Sequence, residues 1–207
     1  MPRSPRRELP PGLLHVTCRT IRRAPLFLGA HDARTLLNLL DGATRAVPEC
    51  AVHAYCLMPN HVHYVVDSEL DALSHVMHQV NGSYAQRFNR SYGFRGHLFQ
   101  GRFHAKPIAD EPHLLHSIRY VVLNPVRAGF CERPEQWRWS SYRALLGLDP
   151  PRRLLALDRT LALWGGGPKA RAAIRRFVDE ELPAAFDRGQ SPGLSPVPDG
   201  RAAQPKP

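Results

Sequence analysis

The stretch His53-Ala54-Tyr55-Cys56-Leu57-Met58-Pro59-Asn60-His61-Val62-His63-Tyr64-Val65-Val66-Asp67 reads as two short strands joined at Met58-Pro59-Asn60. Proline and asparagine suit a tight connection, one by its fixed φ and the other by its own backbone hydrogen bonds. Side chains alternate along a strand, so His61, His63 and Val65 share one face while Val62, Tyr64 and Val66 share the other. Two imidazoles then project side by side, about 7 Å apart at the backbone. Neutral imidazoles ligate divalent cations, and two of them leave coordination positions open for phosphate and water. Taken alone, the same pattern also describes two histidines on a half-exposed strand.

Upstream, Leu13 to Thr20 alternates apolar and polar residues, as a strand does. His31 to Val47 follows with Ala33, Leu36, Leu37, Leu40 and Ala43 at helical spacing, stopped by Pro48. Downstream, Leu70 to Tyr92 carries Leu73, Val76, Met77, Val80, Tyr84 and Phe88 at three- and four-residue steps, the stripe of an amphipathic helix. Gly82 interrupts it at a cost of about 1 kcal/mol relative to alanine, which suits close approach of a strand or a DNA backbone. Phe103 to Ala109 reads as a further strand, and Glu111 to Leu123 as a third helix closed by Asn124-Pro125. Strand, helix, hairpin, helix, strand, helix predicts an α+β fold: a ferredoxin-like antiparallel sheet with helices packed on one face. A small C-terminal helical extension follows, with a helix from about Pro168 to Leu182. The expected organisation is a basic flexible arm over 1–12, a catalytic domain over 13–147, the extension over 148–182 and a Pro-, Gly- and Ala-rich disordered tail over 183–207.

The chain of 207 residues holds 28 Lys and Arg against 18 Asp and Glu, a formal charge of +10, with a pI near 10.1. Arginine forks match phosphate oxygens, so a polyanion is the leading partner. The four cysteines have neither CxxC spacing nor a dense framework, which points to reduced thiols and a cytoplasmic protein. No apolar run approaches the ~20 residues of a membrane span, so no membrane partner is expected.

A nucleophile is the next requirement. Tyr84 lies mid-helix in a segment expected to pack across the sheet, and a phenol there can attack phosphorus and leave a phosphotyrosine. On pattern alone Tyr84 is more simply an ordinary core aromatic, and Tyr92, Tyr120 and Tyr142 compete with it. Between helix and strand, Arg87, Arg90, Arg95 and Arg102 offer charge for phosphates, while Phe94, Phe99 and Phe103 offer faces for unpaired bases. A solvated basic loop would have the same composition.

Several motifs in order decide between these readings. Tyr55-Cys56-Leu57-Met58-Pro59-Asn60-His61-Val62-His63 resembles the His-hydrophobic-His signature of the single-tyrosine transposases of bacterial insertion sequences. The chain is most similar to their domesticated relatives that act on repetitive extragenic palindromes, the REP-associated tyrosine transposases. The likeness extends to His15-Val16-Thr17-x-Arg19, Tyr84-x-x-x-Phe88-Asn89-Arg90, Gly96-x-Leu98-Phe99-Gln100-Gly101-Arg102-Phe103, Tyr120-Val121-x-Leu123-Asn124-Pro125-Val126-Arg127-Ala128-Gly129 and Trp139-Ser140-Ser141-Tyr142.

The resemblance implies a transposase that nicks and joins single-stranded DNA bearing palindromic hairpins, with Mg²⁺ or Mn²⁺ as cofactor. His61 and His63 become metal ligands and Tyr84 the nucleophile, forming a 5′-phosphotyrosine and freeing a 3′-OH. Exchange of one phosphoester for another needs no nucleotide-binding loop. Arg19, Arg87, Arg90, Arg95, Phe99, Arg102 and Arg127 are the expected DNA contacts. Relatives place an amide or acid about one helical turn after the tyrosine, but Phe88 stands at that position here. Asn89 is the choice for third metal ligand, with Asn60 and water as alternatives. The Trp137 to Tyr142 segment and the helix beyond it favour a monomer over the helix-exchanging homodimer of mobile-element enzymes. A catalytically silent module binding structured DNA or RNA is the alternative reading.

Overall fold

The computed structural model describes residues 11–182. The expected arm lies outside the described residues save its last two, and the expected tail lies wholly outside them. The order is β1 (Gly12–Arg19), α1 (Ala30–Ala46), β2 (Ala51–Met58), β3 (His61–Ser68), α2 (Leu70–Tyr92), β4 (His104–Pro107), α3 (Glu111–Arg127), α4 (Tyr142–Leu145), α5 (Leu157–Ala162) and α6 (Gly167–Asp179). Four antiparallel strands pair in the order β2-β3-β1-β4, the order that a ferredoxin-like βαββαβ chain produces.

The burial of β1 shows how the two faces are treated. Leu14, Val16 and Cys18 are buried, whereas Leu13, His15 and Thr17 on the other face are only half-buried. In register, Val16 lies opposite Tyr64 and Thr17 opposite His63, so β3 divides its side chains the same way. The Val16 and Tyr64 face is covered by α1 and α2: Asn81 of α2 donates to Cys18 Sγ at 3.4 Å. Asp32 accepts from the Leu28 and Gly29 amides at the start of α1 and from the Tyr92 hydroxyl at the end of α2. That shared carboxylate fixes the two helices to each other. Gly93, at φ 69, then ends α2 in the left-handed region that glycine occupies without a Cβ penalty.

The one-face packing expected of the helices therefore holds for α1 and α2. The third helix covers the opposite face, lying against β2 and β3 and leaving β1 and β4 open beside it. Its stripe of Leu114, Ile118, Val121, Val122 and Val126 is buried. Asp110 caps it by accepting from the His113 amide at 2.8 Å. The helix does not close at Asn124-Pro125 as the sequence suggests but continues to Arg127. Proline there forfeits its own amide bond, and the Asn124 side-chain amide donates to the Tyr120 carbonyl at 2.8 Å.

The chain after α3 docks on β2 and on α3 itself. Trp137 Nε1 donates to the Leu57 carbonyl at 2.9 Å and the Ala156 amide to Val52 at 2.8 Å. A second apolar cluster forms where Val122, Leu123 and Val126 of α3 meet Tyr142, Leu161, Ala170, Ile174 and Val178. Arg119, 6 % exposed, stacks over Phe177 at 4.0 Å and pairs with Glu180 and Glu181. Arg127 also reaches Glu181, at 2.6 Å. The helix on the histidine face is thus braced from behind by its own chain.

Candidate active site

His61 and His63 project from β3 as the alternation requires, their ring centroids 4.8 Å apart. Each ring is held through Nδ1. His61 Nδ1 lies 2.6 Å from Asn60 Oδ1, an acceptor, so it carries the proton. His63 Nδ1 lies 2.9 Å from His15 Nε2 and 3.3 Å from Thr17 Oγ1. With Nδ1 so engaged, Nε2 of His61 is left to present its lone pair, and Nε2 of His63 does the same in the tautomer whose Nδ1 donates to His15, the arrangement that outer partners impose on metal-binding histidines.

Burial is the main cause of low basicity at all three imidazoles. It lowers His61 to about 4, with help from Arg19 and Arg23, and His63 to about 2, with help from His61, His15 and Arg19. His15 falls to about 4 by burial and then by the charges of Lys106, His104 and His113. The permanently charged groups among these causes, Arg19, Arg23 and Lys106, are all positive. A site of neutral imidazoles beside such cations is prepared for an anion.

The aromatic side chain that completes this corner is Tyr120, on α3. Its ring meets His15 edge-on at 5.6 Å and His63 at 5.8 Å. It is 42 % exposed, and the Arg127 guanidinium lies over its face, 5.2 Å from the centroid. Asn124 stands one turn further along the same helix.

Tyr84 is not brought to the histidines. It hangs from α2 on the other side of the sheet, 1 % exposed, among Phe27, Phe88 and Phe99. Its hydroxyl donates to the Leu26 carbonyl at 2.5 Å, and burial holds its ionisation well above the ordinary phenol range. Asn89 is likewise remote from them: it belongs to α2 and donates to the Gly96 carbonyl at 2.9 Å. The physical reason is the two-residue period of β3. The helix packed on Val62, Tyr64 and Val66 faces away from His61 and His63.

The expected DNA contacts fall into two groups. Arg19, directly opposite His61 in the ladder, and Arg127 flank the histidine corner. Arg87, Arg90, Arg95 and Arg102 are exposed on α2 and the α2–β4 connection. There Phe99 helps line a cleft of about 1,020 Å³, together with Asn81, Gly82, Asn89 and Gln100. A Cβ built on Gly82 would meet nothing within 4 Å, so no neighbouring element among the described residues needs that glycine.

Among the described residues no three His, Cys, Asp or Glu side chains stand together as a metal-binding group. A divalent cation would have to be held by the two Nε2 atoms, an amide oxygen and ligands from substrate or water. The neutral, oriented His61 and His63 fit that requirement.

The family model described as "Transposase IS200 like" matches residues 12–123, more than half of the chain. A solved structure of a REP-associated tyrosine transposase bound to a REP hairpin superposes with a TM-score of 0.59. It is 20 % identical, covering 81 % of this chain and 93 % of that one, and the likeness at that identity is one of fold. No curated protein sequence matches the chain.

Proposed function

The chain belongs to the IS200-like transposase family, and on that premise we propose that it cuts and rejoins single-stranded DNA through a covalent bond to Tyr120. The carrying observation is the packing of the Tyr120 ring against His15 and His63, on the face that His61 also occupies. Tyr120 replaces Tyr84 in this reading. It also restores the pattern of an amide one turn after the tyrosine, because that position is now Asn124. Asn124 is therefore our third ligand in place of Asn89: its amide nitrogen is engaged with the Tyr120 carbonyl, and the oxygen is the atom a hard cation prefers.

In the reaction the Tyr120 oxygen attacks phosphorus, the bond to the 3′-oxygen breaks, and that oxygen leaves with the electron pair and takes up a proton. A 5′-phosphotyrosine and a 3′-OH result. Arg127 lies over the Tyr120 ring, and Arg19 beside His61 offers its fork to phosphate oxygens. Mg²⁺ or Mn²⁺ held by His61, His63 and Asn124 would polarise the scissile phosphate. Attack of a second 3′-OH on the phosphotyrosine reverses the bond and joins strands.

The hairpin substrate is our reading from the sequence resemblance and from the fold neighbour that binds a REP hairpin. In this account residues 13–147 are the catalytic domain and 148–182 its brace. The pairs from Arg119 and Arg127 to Glu181 support a monomer, since they hold the helix of Tyr120 within its own chain. No helix among the described residues is long and apolar enough to cross a membrane; a cytoplasmic enzyme is our reading from the sequence.

The test is incubation of the protein with hairpin-bearing single-stranded DNA and Mg²⁺ or Mn²⁺, followed by denaturing electrophoresis. A covalent protein–DNA band is expected from wild type and none from Tyr120→Phe. Hairpin binding without an adduct in wild type would favour the silent module.

A further inference from the structure

Beside His61 a small pocket of about 230 Å³ opens between three parts of the chain. Arg19 and Arg23 form its rim, Met58 and His61 come from the hairpin, and Ala128 and Phe130 come from the end of α3. Two features show that it is built rather than left over. The first is backbone strain: Arg22 and Arg23 are consecutive non-glycine residues in the left-handed region, at φ 51 and φ 58. Each such residue costs about 1–2 kcal/mol. Hydrogen bonds that tie the loop to the hairpin turn offset this cost. Thr20 Oγ1 donates to the Asn60 carbonyl at 3.0 Å, and the Leu26 amide donates to Pro59 at 2.7 Å. The loop is thereby pressed against the turn with Arg23 at the rim.

The second feature is the exit of α3. Gly129, at φ 70, reverses the chain after Arg127, with the Phe130 amide bonded to the Pro125 carbonyl at 2.9 Å. That reversal carries the Phe130 ring back towards His61, where it is fixed by stacking on Trp137 at 5.5 Å.

The walls include a thioether, a methyl group and an aromatic ring beside Pro59 and Asn60, and the rim carries two exposed guanidinium groups whose charges both bear on His61. This combination fits a flat aromatic group attached to a phosphate. The volume lies below the ~300–1,000 Å³ of ordinary small-ligand sites and suits one base rather than two. We propose that the pocket receives the base of the unpaired nucleotide next to the scissile phosphate, making Met58, Ala128 and Phe130 specificity-determining residues. This rests on the reading of the histidine corner as the cleavage site.

The test uses hairpin oligonucleotides in which single abasic sites are scanned through the flanking single-stranded nucleotides, with Kd measured by fluorescence anisotropy. Stacking contributes about 1–3 kcal/mol per base, so one abasic position should weaken wild-type binding roughly tenfold. Ala128→Leu fills the pocket and should lose the same factor on intact DNA, yet bind that abasic oligonucleotide as wild type does. Phe130→Ala should abolish the abasic penalty in the same way and covers the case in which Ala128→Leu does not fold. Arg23→Gly relieves the strained φ and removes one charge. It should weaken intact and abasic DNA alike and lower the slope of log K against log salt by about 0.7. The inference is overturned if every abasic position is tolerated, or if the penalty survives in both pocket variants. Adduct formation in the same samples shows separately whether the cleavage reading stands.

Discussion

Replacing Tyr84 with phenylalanine separates a structural tyrosine from a catalytic one. The Tyr84 hydroxyl is buried and donates to the Leu26 carbonyl at 2.5 Å. The substitution keeps the ring and its contacts with Phe27, Phe88 and Phe99, so no large cavity forms. What it removes is the donor, and a buried carbonyl left without a partner costs about 1–3 kcal/mol. For a protein of this length 1 kcal/mol moves Tm by roughly 2–4 °C. Tyr84→Phe should therefore melt about 2–12 °C below wild type by circular dichroism, the same cost carried through that conversion. Its phenol is turned away from the histidines and held un-ionised by burial, so the adduct yield at a temperature where the variant is folded should match wild type. An unchanged Tm with complete loss of the adduct would refute the reasoning, because it would make Tyr84 the nucleophile.

Three other perturbations follow from the same structure. His15, His61 and His63 are held neutral to about 4, 4 and 2, below the unfolded value of about 6.5. The unfolded chain therefore binds protons first as pH falls. Stability is fully present above about 6.5 and is lost towards 4 with a slope of up to roughly 1.4 kcal/mol per pH unit per histidine, measurable by urea titration; a flat profile over that window would contradict the burial of the cluster. Gly82→Ala meets no protein atom within 4 Å, so it should stabilise α2 by about 1 kcal/mol, read as a higher urea midpoint. If the cleft beside Gly82 holds DNA, the same variant binds single strands more weakly. Arg119→Met removes a buried guanidinium from two exposed carboxylates that water can resolvate, so the cost should fall near or below the lower end of the ~3–5 kcal/mol expected for breaking a buried pair, detected as a lower urea midpoint.

The hairpin, the long α2 and the register of the histidine pair were legible in the sequence because each rests on a local signal. Alternation in His61 to Val66, the stripe from Leu73 to Phe88 and Pro59-Asn60 at the turn act within a few residues. Which helix faces the histidines is a non-local matter. The nearest helix in sequence, α2, packs on Tyr64, and the helix after β4 reaches the other face. The alternation already held part of the answer, since an apolar helix seeks the Val62, Tyr64 and Val66 side. A second signal was Asn124 four residues after Tyr120, at the border of an apolar stripe rather than within it. Pro125 obscured this by suggesting an early helix end. The bond from His15 to His63 and the strained arginines at 22 and 23 depend on tertiary contacts that no short window of sequence displays.

The central claim is that the covalent bond to DNA forms at Tyr120. Tryptic digestion of the trapped adduct, nuclease trimming and mass spectrometry would locate the residue that carries the nucleotide. The account predicts the modified peptide containing Tyr120, with its phosphoryl group on the phenol oxygen. A nucleotide found instead on the peptide containing Tyr84 would contradict it.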